Sequence, residues 1–459
     1  MQFDLVIHDG TLVTSANTFV ADIGINRETI ATLGCGLRGA RMIDAAGKLV
    51  LPGAIDPHVH LQMDTAVTQT SDDWESGTIA AACGGTTTVI DFVEPNLDEP
   101  LLVALEARRA QADAGAVIDY GLHMTLRQAD VGTLTQVDAV VSAGCPSFKT
   151  YLTYASLRLD DASFLRAVET VRVSNGIVLV HAENHDAIEY LKRQLVAAGE
   201  TAPRAHPRSR PPSVEAEAIE RALMLAEIVK CPLYIVHIST GRGAEALQRA
   251  RDRGQIAFGE TCAQYLVLTD REYERPDFEG AKFVCSPPLR PADNPPMLWR
   301  ALAAGNLQTV GSDHCSFLFQ GQKDLGRESF TAIPGGLPGV EARLALLYTF
   351  GVGQNRLSLN QWVNACCTMP ARIFGLYPRK GALLPGADAD IVIFDPQREV
   401  TLTRAVLHER VDYTPYDGLA LRGYPTMTIA RGQVICEHGE FVGDKRRGRF
   451  LVRVRTEAR

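Results

Sequence analysis

The sequence predicts an α/β fold in which a barrel of eight strands and helices is joined to a discontinuous β domain. Short strand-like runs fill the first fifty residues and return after about Lys380. Between these ends, eight apolar strand-like runs alternate with helical stretches rich in Ala, Leu and Glu. Eight β/α units of this length favour closure into a TIM barrel over the alternative, an open doubly wound sheet.

The first fifty residues have the pattern of a small β unit. Leu5-Val6-Ile7 and Leu12-Val13 flank Asp9-Gly10. This arrangement predicts a hairpin, because glycine accepts positive φ. Two further short apolar runs follow before residue 34. We therefore place the first part of the β domain at residues 1–52.

The middle of the chain, residues 53–379, carries the β/α rhythm. One of its helix candidates is Val214 to Lys230, with Ser213 as the N-cap and acidic residues in the first turn. The predicted strands are a first run leading into residues 56–58, then 86–92, 117–125, 147–153, 176–182, 232–239, 256–261 and 307–312.

The β pattern returns in the last eighty residues. The run 389–394 reads as an apolar strand closed by Asp395-Pro396. Two further runs, 426–430 and 433–436, are expected to pair across Arg431-Gly432. We expect residues 380–459 to join the N-terminal strands in one domain and to end in a basic, solvated tail around 445–449.

Composition narrows the class of protein. The chain has 459 residues, of which 46% are hydrophobic and 22% charged, as is ordinary for a soluble enzyme. A net charge of -8 without a long basic stretch argues against a nucleic-acid partner. No apolar stretch reaches the ~18–20 residues of a membrane span, and the first residues lack the features of a signal peptide. The ten cysteines show no Cys-x-x-Cys spacing, which favours reduced thiols and a cytoplasmic location.

Metal-competent side chains stand in or at the ends of five of the predicted strands. His58 and His60 follow the first strand, and residues two apart in an extended segment point the same way. A lone His-x-His pair is a weak signal. It gains weight because the carboxyl ends of barrel strands form one face, where we expect four more such groups: Lys149, His181, His237 and Asp313.

This set of side chains favours a site with two metal ions. Neutral imidazoles bind zinc and similar ions, and a carboxylate adds charge compensation. Four histidines, a carboxylate and a lysine exceed one tetrahedral zinc and suit two ions roughly 3.5–4 Å apart. A charged Lys149 would repel the ions, but burial lowers a lysine pKa and a neutral amine can add carbon dioxide to form an anionic carbamate. From position alone, a simple ion pair of Lys149 with a carboxylate remains an equal alternative.

Six segments carry the most specific pattern in the chain: Asp56-Pro57-His58-Val59-His60, residues 147–154 (Ser-Phe-Lys-Thr-Tyr-Leu-Thr-Tyr), His181-Ala182-Glu183-Asn184, Glu260-Thr261-Cys262, residues 285–290 (Cys-Ser-Pro-Pro-Leu-Arg) and Ser312-Asp313-His314-Cys315. Together and in this order they resemble the dihydropyrimidinase/D-hydantoinase family of cyclic-amide hydrolases, within the amidohydrolase superfamily. The resemblance runs from about residue 1 to about residue 449. It implies a binuclear, usually zinc, centre, and it implies that the two ends of the chain form one β-sandwich beside the barrel.

The resemblance also implies a role for each of the six ligand candidates. The more buried ion would be held by His58, His60 and Asp313, and the more exposed ion by His181 and His237. Lys149, carboxylated on its side-chain nitrogen, would bridge both ions.

Three further residues match substrate contacts of the family. Tyr154 resembles the tyrosine that hydrogen-bonds the developing oxyanion, and Ser286 matches a contact to the substrate amide. The family usually shows Pro-Asn-Gly after the eighth strand, whereas this chain has Pro334-Gly335-Gly336. That contact is largely through the backbone, so Gly335 can keep it, but a looser loop puts the choice of substrate in doubt.

The activity implied is metal-dependent hydrolysis of a small-molecule cyclic amide. Rings of 5-monosubstituted hydantoins, dihydropyrimidines or both would be opened to N-carbamoyl amino acids, with Asp313 carrying the proton. Two alternatives remain: allantoinase, which has the same ligands, and a non-catalytic dihydropyrimidinase-like assembly protein, against which the six intact ligand positions argue.

The loops after the first and fourth strands bear on the ring preferred. They offer an apolar wall, which ranks hydantoins and dihydropyrimidines above the polar allantoin; its possible members are Leu61, Met63, Leu152 and Leu157. The resemblance further implies a homotetramer or dimer. From the net charge of -8 we expect the basic stretch 445–449 to dock on an acidic surface of a neighbour.

Overall fold

The computed structural model describes residues 2–65 and 67–454 of the chain. The chain begins with short strands: β1 (Phe3–His8), β2 (Thr11–Val13), β3 (Thr18–Val20), β4 (Asp22–Asn26), β5 (Thr29–Gly34), β6 (Gly39–Asp44) and β7 (Leu49–Pro52). The parallel strands of the barrel follow: β8 (Ala54–Val59), β9 (Thr86–Val93), β10 (Asp119–Thr125), β11 (Ser147–Tyr151), β12 (Ile177–His181), β13 (Leu233–Ile235), β14 (Ala257–Cys262) and β15 (Thr309–Gly311). The last strands are β16 (Ile391–Thr401), β17 (Ala420–Ala430), β18 (Gln433–Glu437) and β19 (Glu440–Phe441).

Helices separate the barrel strands and extend beyond them. They are α1 (Trp74–Cys83), α2 (Leu101–Gly115), α3 (Val131–Leu134), α4 (Val137–Ser142), α5 (Asp161–Val173), α6 (His185–Ala197), α7 (Ala205–Ser209), α8 (Pro212–Ile228), α9 (Gly241–Asp252), α10 (Ala263–Val267), α11 (Asn294–Ala303), α12 (Arg343–Leu347), α13 (Leu359–Val363) and α14 (Met369–Ile373). Within the described part of the chain, none of them is both long enough and apolar enough to cross a bilayer.

The barrel strands lie in sequence order, from β8 through to β15. The two ends of this sheet meet, since the Ser312 N–H donates to Asp56 Oδ1 at 3.1 Å and Val59 pairs in parallel with His314. The predicted TIM-like barrel is therefore confirmed, and the alternative of an open doubly wound sheet is wrong.

The two ends of the chain form the predicted β-sandwich. One sheet has the order β5-β4-β1-β6, and the other has the order β19-β18-β17-β16-β7-β2-β3. In the second sheet β7 pairs antiparallel with β16, with Pro52 opposite Ile391. Ile23 and Ile25 from the N-terminal part and Ile429 from the C-terminal part lie in one buried cluster between the sheets.

The predicted hairpin at Asp9-Gly10 is wrong, because β1 and β2 lie in different sheets. Asp9 does have a positive φ of 60°, but the turn carries the chain from one sheet to the other. Leu5 and Leu12, on either side of the turn, are buried in the same cluster between the sheets. Gly10 is required by close packing, since a Cβ there would lie 2.5 Å from Val50 Cγ2.

One predicted strand end also moves. β16 continues through Asp395-Pro396 rather than ending there, because a bulge between Asp395 and Glu399 accommodates the proline. The hairpin of β17 and β18 is confirmed, with positive φ at Arg431 and Gly432.

The helix predicted at 214–230 is α8, which begins earlier than expected. Pro212 occupies its first turn, where the absent N–H of proline costs nothing, and Ser213 is not the N-cap. Glu215 lies in the first turn as predicted, where it is buried and accepts hydrogen bonds from the backbone of Ser239 and Thr240.

The basic stretch near the C-terminus is largely exposed, as expected, and two of its side chains form ion pairs within the chain. Lys445 Nζ lies 2.7 Å from Glu75, and Arg449 lies 2.7 Å from Glu28. The chain then runs beneath the barrel, where the buried Arg453 donates to Ser147 Oγ at 2.9 Å and to the Leu122 carbonyl. Lys445 and Arg449 thus have carboxylate partners within the chain, whereas Arg453 bonds to neutral oxygen atoms.

Candidate metal centre and active site

The six predicted metal ligands come together at the carboxyl ends of the barrel strands. His58 lies in β8 with His60 just beyond it, Lys149 lies in β11, and the other three end or follow β12, β13 and β15. All six are buried, with exposed fractions from 1% to 9%. The shared edge of a parallel barrel accounts for this convergence of residues that are far apart in sequence.

His58, His60 and Asp313 form the tightest group. Asp313 Oδ1 lies 3.2 Å from His58 Nε2 and 3.3 Å from His60 Nε2. Ligand atoms of the three residues lie within 4.8 Å of one another. His60 Nδ1 is buried and finds no hydrogen-bond partner in the described part of the chain. Two imidazoles and a carboxylate at this spacing fit one divalent ion.

His181 and His237 lie beside this group. Their ring centroids are 4.4 Å apart, and His237 lies 5.4 Å from His58. His181 Nε2 is 2.7 Å from Glu183 Oε2, which leaves Nδ1 of that ring as its free ligand atom. His237 Nδ1 is buried without a hydrogen-bond partner among residues 2–65 and 67–454. This pair can serve a second ion next to the first.

Lys149 lies among these ligands in an aromatic environment. Its Nζ is 5.1 Å from the ring centroid of Phe92 and 5.2 Å from that of Tyr151. Among the described residues, Lys149 forms no ion pair. Burial lowers its pKa to about 8, although Asp313 and Glu260 act in the opposite direction. The interpretation of Lys149 as one half of a simple ion pair therefore does not describe this structure.

The electrostatics hold the ligands in the forms that bind metals. Burial keeps the pKa of His58 and of His237 well below the usual range, so both imidazoles are neutral at pH 7. Burial alone would raise the pKa of Asp313, but His58 and His60 outweigh it and lower the pKa. A neutral imidazole and an ionised carboxylate need to lose no proton on binding.

The Amidohydrolase family profile matches residues 49–435 of this chain. The chain belongs to the amidohydrolase family. Two D-hydantoinases, from Ralstonia pickettii and Geobacillus stearothermophilus, are 43% and 44% identical to it over 452 and 457 residues. These matches cover 98% and 99% of this chain and 99% and 97% of those proteins. A solved structure of D-hydantoinase from a Bacillus sp. AR9 matches with a TM-score of 0.97 at 43% identity, covering 99% of this chain and 100% of that one.

Membership of the amidohydrolase family implies a divalent metal site, and the residues present fit one. The donor set is imidazole and carboxylate, which suits zinc and similar ions. The unpartnered Nδ1 atoms of His60 and His237 are buried polar atoms of the kind that a ligand satisfies.

Glu260 orients two of the candidate ligands in this amidohydrolase. Its Oε1 lies 2.7 Å from His58 Nδ1 and accepts the His237 N–H at 3.1 Å, while the Tyr234 hydroxyl donates to Oε2 at 2.8 Å. Burial raises the pKa of Glu260 to about 7. Glu260 lies in one of the six segments that resemble the family. The sequence signal for its role was a carboxylate within the buried strand β14.

Arg210 is a site residue that sequence reasoning missed. It forms a buried ion pair with Glu183, and its guanidinium lies 5.5 Å from the ring centroid of Tyr154. Burial would raise the pKa of Glu183, but Arg210 and His181 lower it to about 2. Arg210 ends a polar stretch without apolar periodicity, so no spacing pattern marked it.

The predicted substrate contacts border a cavity of about 1060 Å³ above the ligands. Tyr154 and Ser286 are close enough for their side chains to hydrogen-bond. Burial raises the pKa of Tyr154 to about 12 while Arg210 acts against this, so the hydroxyl keeps its proton at neutral pH. Gly335 faces open space, since only Ser286 Oγ would lie within 4 Å of a Cβ added there, at 3.7 Å.

The predicted apolar wall is half correct. Met63 and Leu157 line the cavity, as do Phe317 and other apolar side chains. Leu61 and Leu152 do not, and both are packed in the main hydrophobic core. Leu61 turns away because the chain bends sharply at the next residue, where Gln62 has a φ of 48°.

Three site residues adopt a left-handed backbone that side chains other than glycine rarely take. The φ angles are 66° for Tyr154, 40° for His237 and 50° for Asp313. Each such position costs roughly 1–3 kcal/mol and persists only where surrounding contacts enforce it. The contacts around the site therefore hold these three residues in strained conformations.

Proposed function

We propose that this amidohydrolase opens the rings of 5-monosubstituted hydantoins, dihydropyrimidines or both, giving N-carbamoyl amino acids. The observation that carries the proposal is the convergence of six buried ligand-type side chains beneath a cavity bordered by Tyr154, Ser286 and Gly335. The D-hydantoinase relatives at 43% and 44% identity support the same reaction.

The proposal includes a centre of two divalent ions, zinc by preference. His58, His60 and Asp313 would hold one ion, His181 and His237 the other, and Lys149 would bridge them as a carbamate. The lowered pKa of Lys149 supports this, since only a neutral amine adds carbon dioxide. When bound, the ions would polarise the ring carbonyl and lower the pKa of a water molecule toward ~7.

The side chains of this chain would supply the proton transfer and the orientation. Asp313 accepts the proton of the attacking water and passes it to the leaving ring nitrogen. The Tyr154 hydroxyl, protonated at neutral pH, donates to the carbonyl oxygen as negative charge develops. Ser286 and the backbone of Gly335 bind the remaining amide groups of the ring.

The cavity wall supports a preference among rings. Met63 and Leu157 line it together with Phe317 and Phe330, which suits an apolar substituent at ring position 5. The ureido arm of allantoin would leave polar groups unpaired there, at roughly 1–3 kcal/mol each. Arg108, which also lines the cavity, is already engaged by Asp91.

A hydrolysis panel on the purified protein tests this proposal. We expect kcat/KM for 5-phenylhydantoin to exceed that for allantoin, with hydantoin and dihydrouracil also opened. Metal analysis of the same sample should find about two ions per chain. Faster allantoin hydrolysis would overturn the ranking, and a protein with neither metal nor hydrolysis would point to the assembly role instead.

We also propose that residues 53–379 form the catalytic domain, residues 1–52 and 380–459 form the β-sandwich domain, and the protein is a cytoplasmic homotetramer or dimer. Support for assembly comes from β3, an end strand of its sheet, where Phe19 is 39% and Val20 67% exposed. An apolar open edge is a surface that another chain can cover. Light scattering that shows a monomer at micromolar concentration would contradict the assembly.

A further inference from the structure

Lys323 is a fully buried lysine beside the substrate cavity and apart from the ligand cluster. It begins the short 3₁₀ turn Lys323–Gly326 and is 0% exposed. Its Nζ donates to three backbone carbonyls, those of Val284 at 2.7 Å, Pro334 at 2.8 Å and Gly336 at 2.8 Å. A lysine ammonium has three N–H donors, and all three are used here.

The three carbonyls belong to the two segments that carry the proposed substrate contacts. Val284 lies two residues before Ser286, and Pro334 and Gly336 flank Gly335. The segments touch directly at one more point, where the Gly336 N–H donates to the Val284 carbonyl at 3.0 Å. Lys323 therefore joins the Ser286 segment to the Gly335 segment.

No carboxylate of the described chain pairs with this ammonium. The titratable groups that act on it are the thiols of Cys285 and Cys315, and the ring of Phe317 lies 5.7 Å away. Burial lowers the pKa of Lys323 to about 7. The three hydrogen bonds require the protonated form, because a neutral amine has only two N–H donors. A buried charge without a counter-charge is costly, and a methionine of similar length would fill the space without that cost. Packing alone does not account for a lysine at this position.

The Gly335 segment has few other constraints at its centre. Gly335 has no side chain, and a Cβ added there would have only Ser286 Oγ within 4 Å. The spacing between Ser286 and Gly335 is thus set by the hydrogen bond from Gly336 N–H to Val284 and by the three carbonyls that Lys323 holds.

We propose that Lys323 is a positioning residue, which fixes the spacing of Ser286 and Gly335 and thereby sets how tightly the cyclic amide ring binds. This inference rests on the proposed function, because the ring is the substrate named there. Contacts made equally to substrate and transition state appear in KM rather than in kcat. Loss of Lys323 should accordingly weaken binding more than it slows turnover.

The test compares Lys323→Met with Lys380→Met. Lys380 is also buried, but it lies between Asp119 and Asp390 at the opposite end of the barrel. We expect Lys323→Met to raise the KM for 5-phenylhydantoin by about tenfold or more, with kcat changed about threefold or less and metal content unchanged. Lys380→Met should lower the thermal midpoint and leave KM unchanged.

A second readout does not depend on activity. Amide hydrogen exchange should accelerate at residues 284–286 and 334–336 in Lys323→Met, and not in Lys380→Met. If the wild-type protein opens no ring, the proposed function fails, and exchange alone decides the role of Lys323. If Lys323→Met does not fold, Lys323→Gln, which keeps two N–H donors, takes its place. Unchanged exchange in both segments, or an unchanged KM in an active protein, overturns the inference.

Discussion

Lys149 and Lys380 are both buried, at opposite ends of the barrel, and their surroundings differ. Lys380, at the amino ends of the strands, lies 2.7 Å from Asp119, 2.7 Å from Asp390 and 3.0 Å from Asp388. Lys149, at the carboxyl ends, faces aromatic rings and has no ion pair among the described residues. Burial lowers the pKa of Lys149 to about 8, whereas the carboxylates outweigh burial at Lys380 and raise its pKa.

The difference separates the end of the barrel that stabilises the fold from the end that carries the candidate active site. At the amino end carboxylates and cations pair, and Asp119 forms a further ion pair with Arg431 at 3.2 Å. This network connects the sandwich to the barrel. At the carboxyl end the Nδ1 atoms of His60 and His237 are left without hydrogen-bond partners in the described chain. Incomplete pairing of buried polar groups is costly to stability and is a mark of functional sites.

The largest effect is expected for Lys149→Ala. The variant should lose its metal ions and almost all ring opening, because the proposed bridging group would be gone. Short carboxylic acids such as acetate should partly restore both, since a carboxylate can replace the carbamate. Metal analysis and hydrolysis assays with and without acetate measure this. A Lys149→Ala protein with full activity and two ions would exclude Lys149 as the bridge.

Asp313→Asn should lose turnover with little loss of stability. The amide oxygen can still coordinate weakly, but it cannot carry a proton. A general acid or base contributes ~10²–10⁴-fold to rate, so kcat should fall by that order. Steady-state kinetics and a thermal melt on the same sample check the prediction. If turnover stays above about a tenth of the wild-type value, Asp313 is not the proton carrier.

Lys380→Met should lose stability and keep its turnover, the reverse of Asp313→Asn. Asp119 and Asp390 would be left buried without their cation, and breaking such a pair costs roughly 3–5 kcal/mol of unfolding free energy. Denaturant unfolding measures the loss, and kcat of the folded protein should match the wild type. A reduced kcat at unchanged metal content would show that the two ends of the barrel are not separate in function.

The smallest effect is expected for Gly335→Asn, which fills open space at the edge of the cavity. It should stabilise the loop by about 0.4–1 kcal/mol, because asparagine loses less backbone freedom on folding than glycine does. It should also reduce the preference for bulky over small hydantoins, measured as the ratio of kcat/KM for 5-phenylhydantoin and hydantoin.

Gly336→Asn provides the matched control. Gly336 has a φ of 155°, and a Cβ there would lie 2.4 Å from the Cys315 carbonyl oxygen, so this variant should be destabilised. Equal behaviour of the two variants would show that the space beside Gly335 does not set the preference.

The sequence predicted the architecture because strand periodicity and strand ends are local properties. His58, His181 and Asp313 could be placed on one face without knowing their contacts, since parallel strands share an edge. The roles of Arg210 and Lys323 could not be predicted, because their partners lie elsewhere in the chain and hydrogen-bond direction has no sequence period. The hairpin at Asp9-Gly10 failed for a related reason: the turn signal is local, but burial of Leu5 and Leu12 between two sheets decided the pairing.

The pairing of β7 with β16 has a consequence for the order in which the protein folds during synthesis. Ile391 leaves the ribosome about 340 residues after its partner Pro52. At ~5–20 residues per second, the nascent N-terminal strands wait about 20–70 s for the strand that completes their sheet. Throughout that interval the apolar edge of β7 is open to other chains. Overexpression in the cold, where synthesis slows further, should therefore increase the demand for chaperones that cover the first fifty residues.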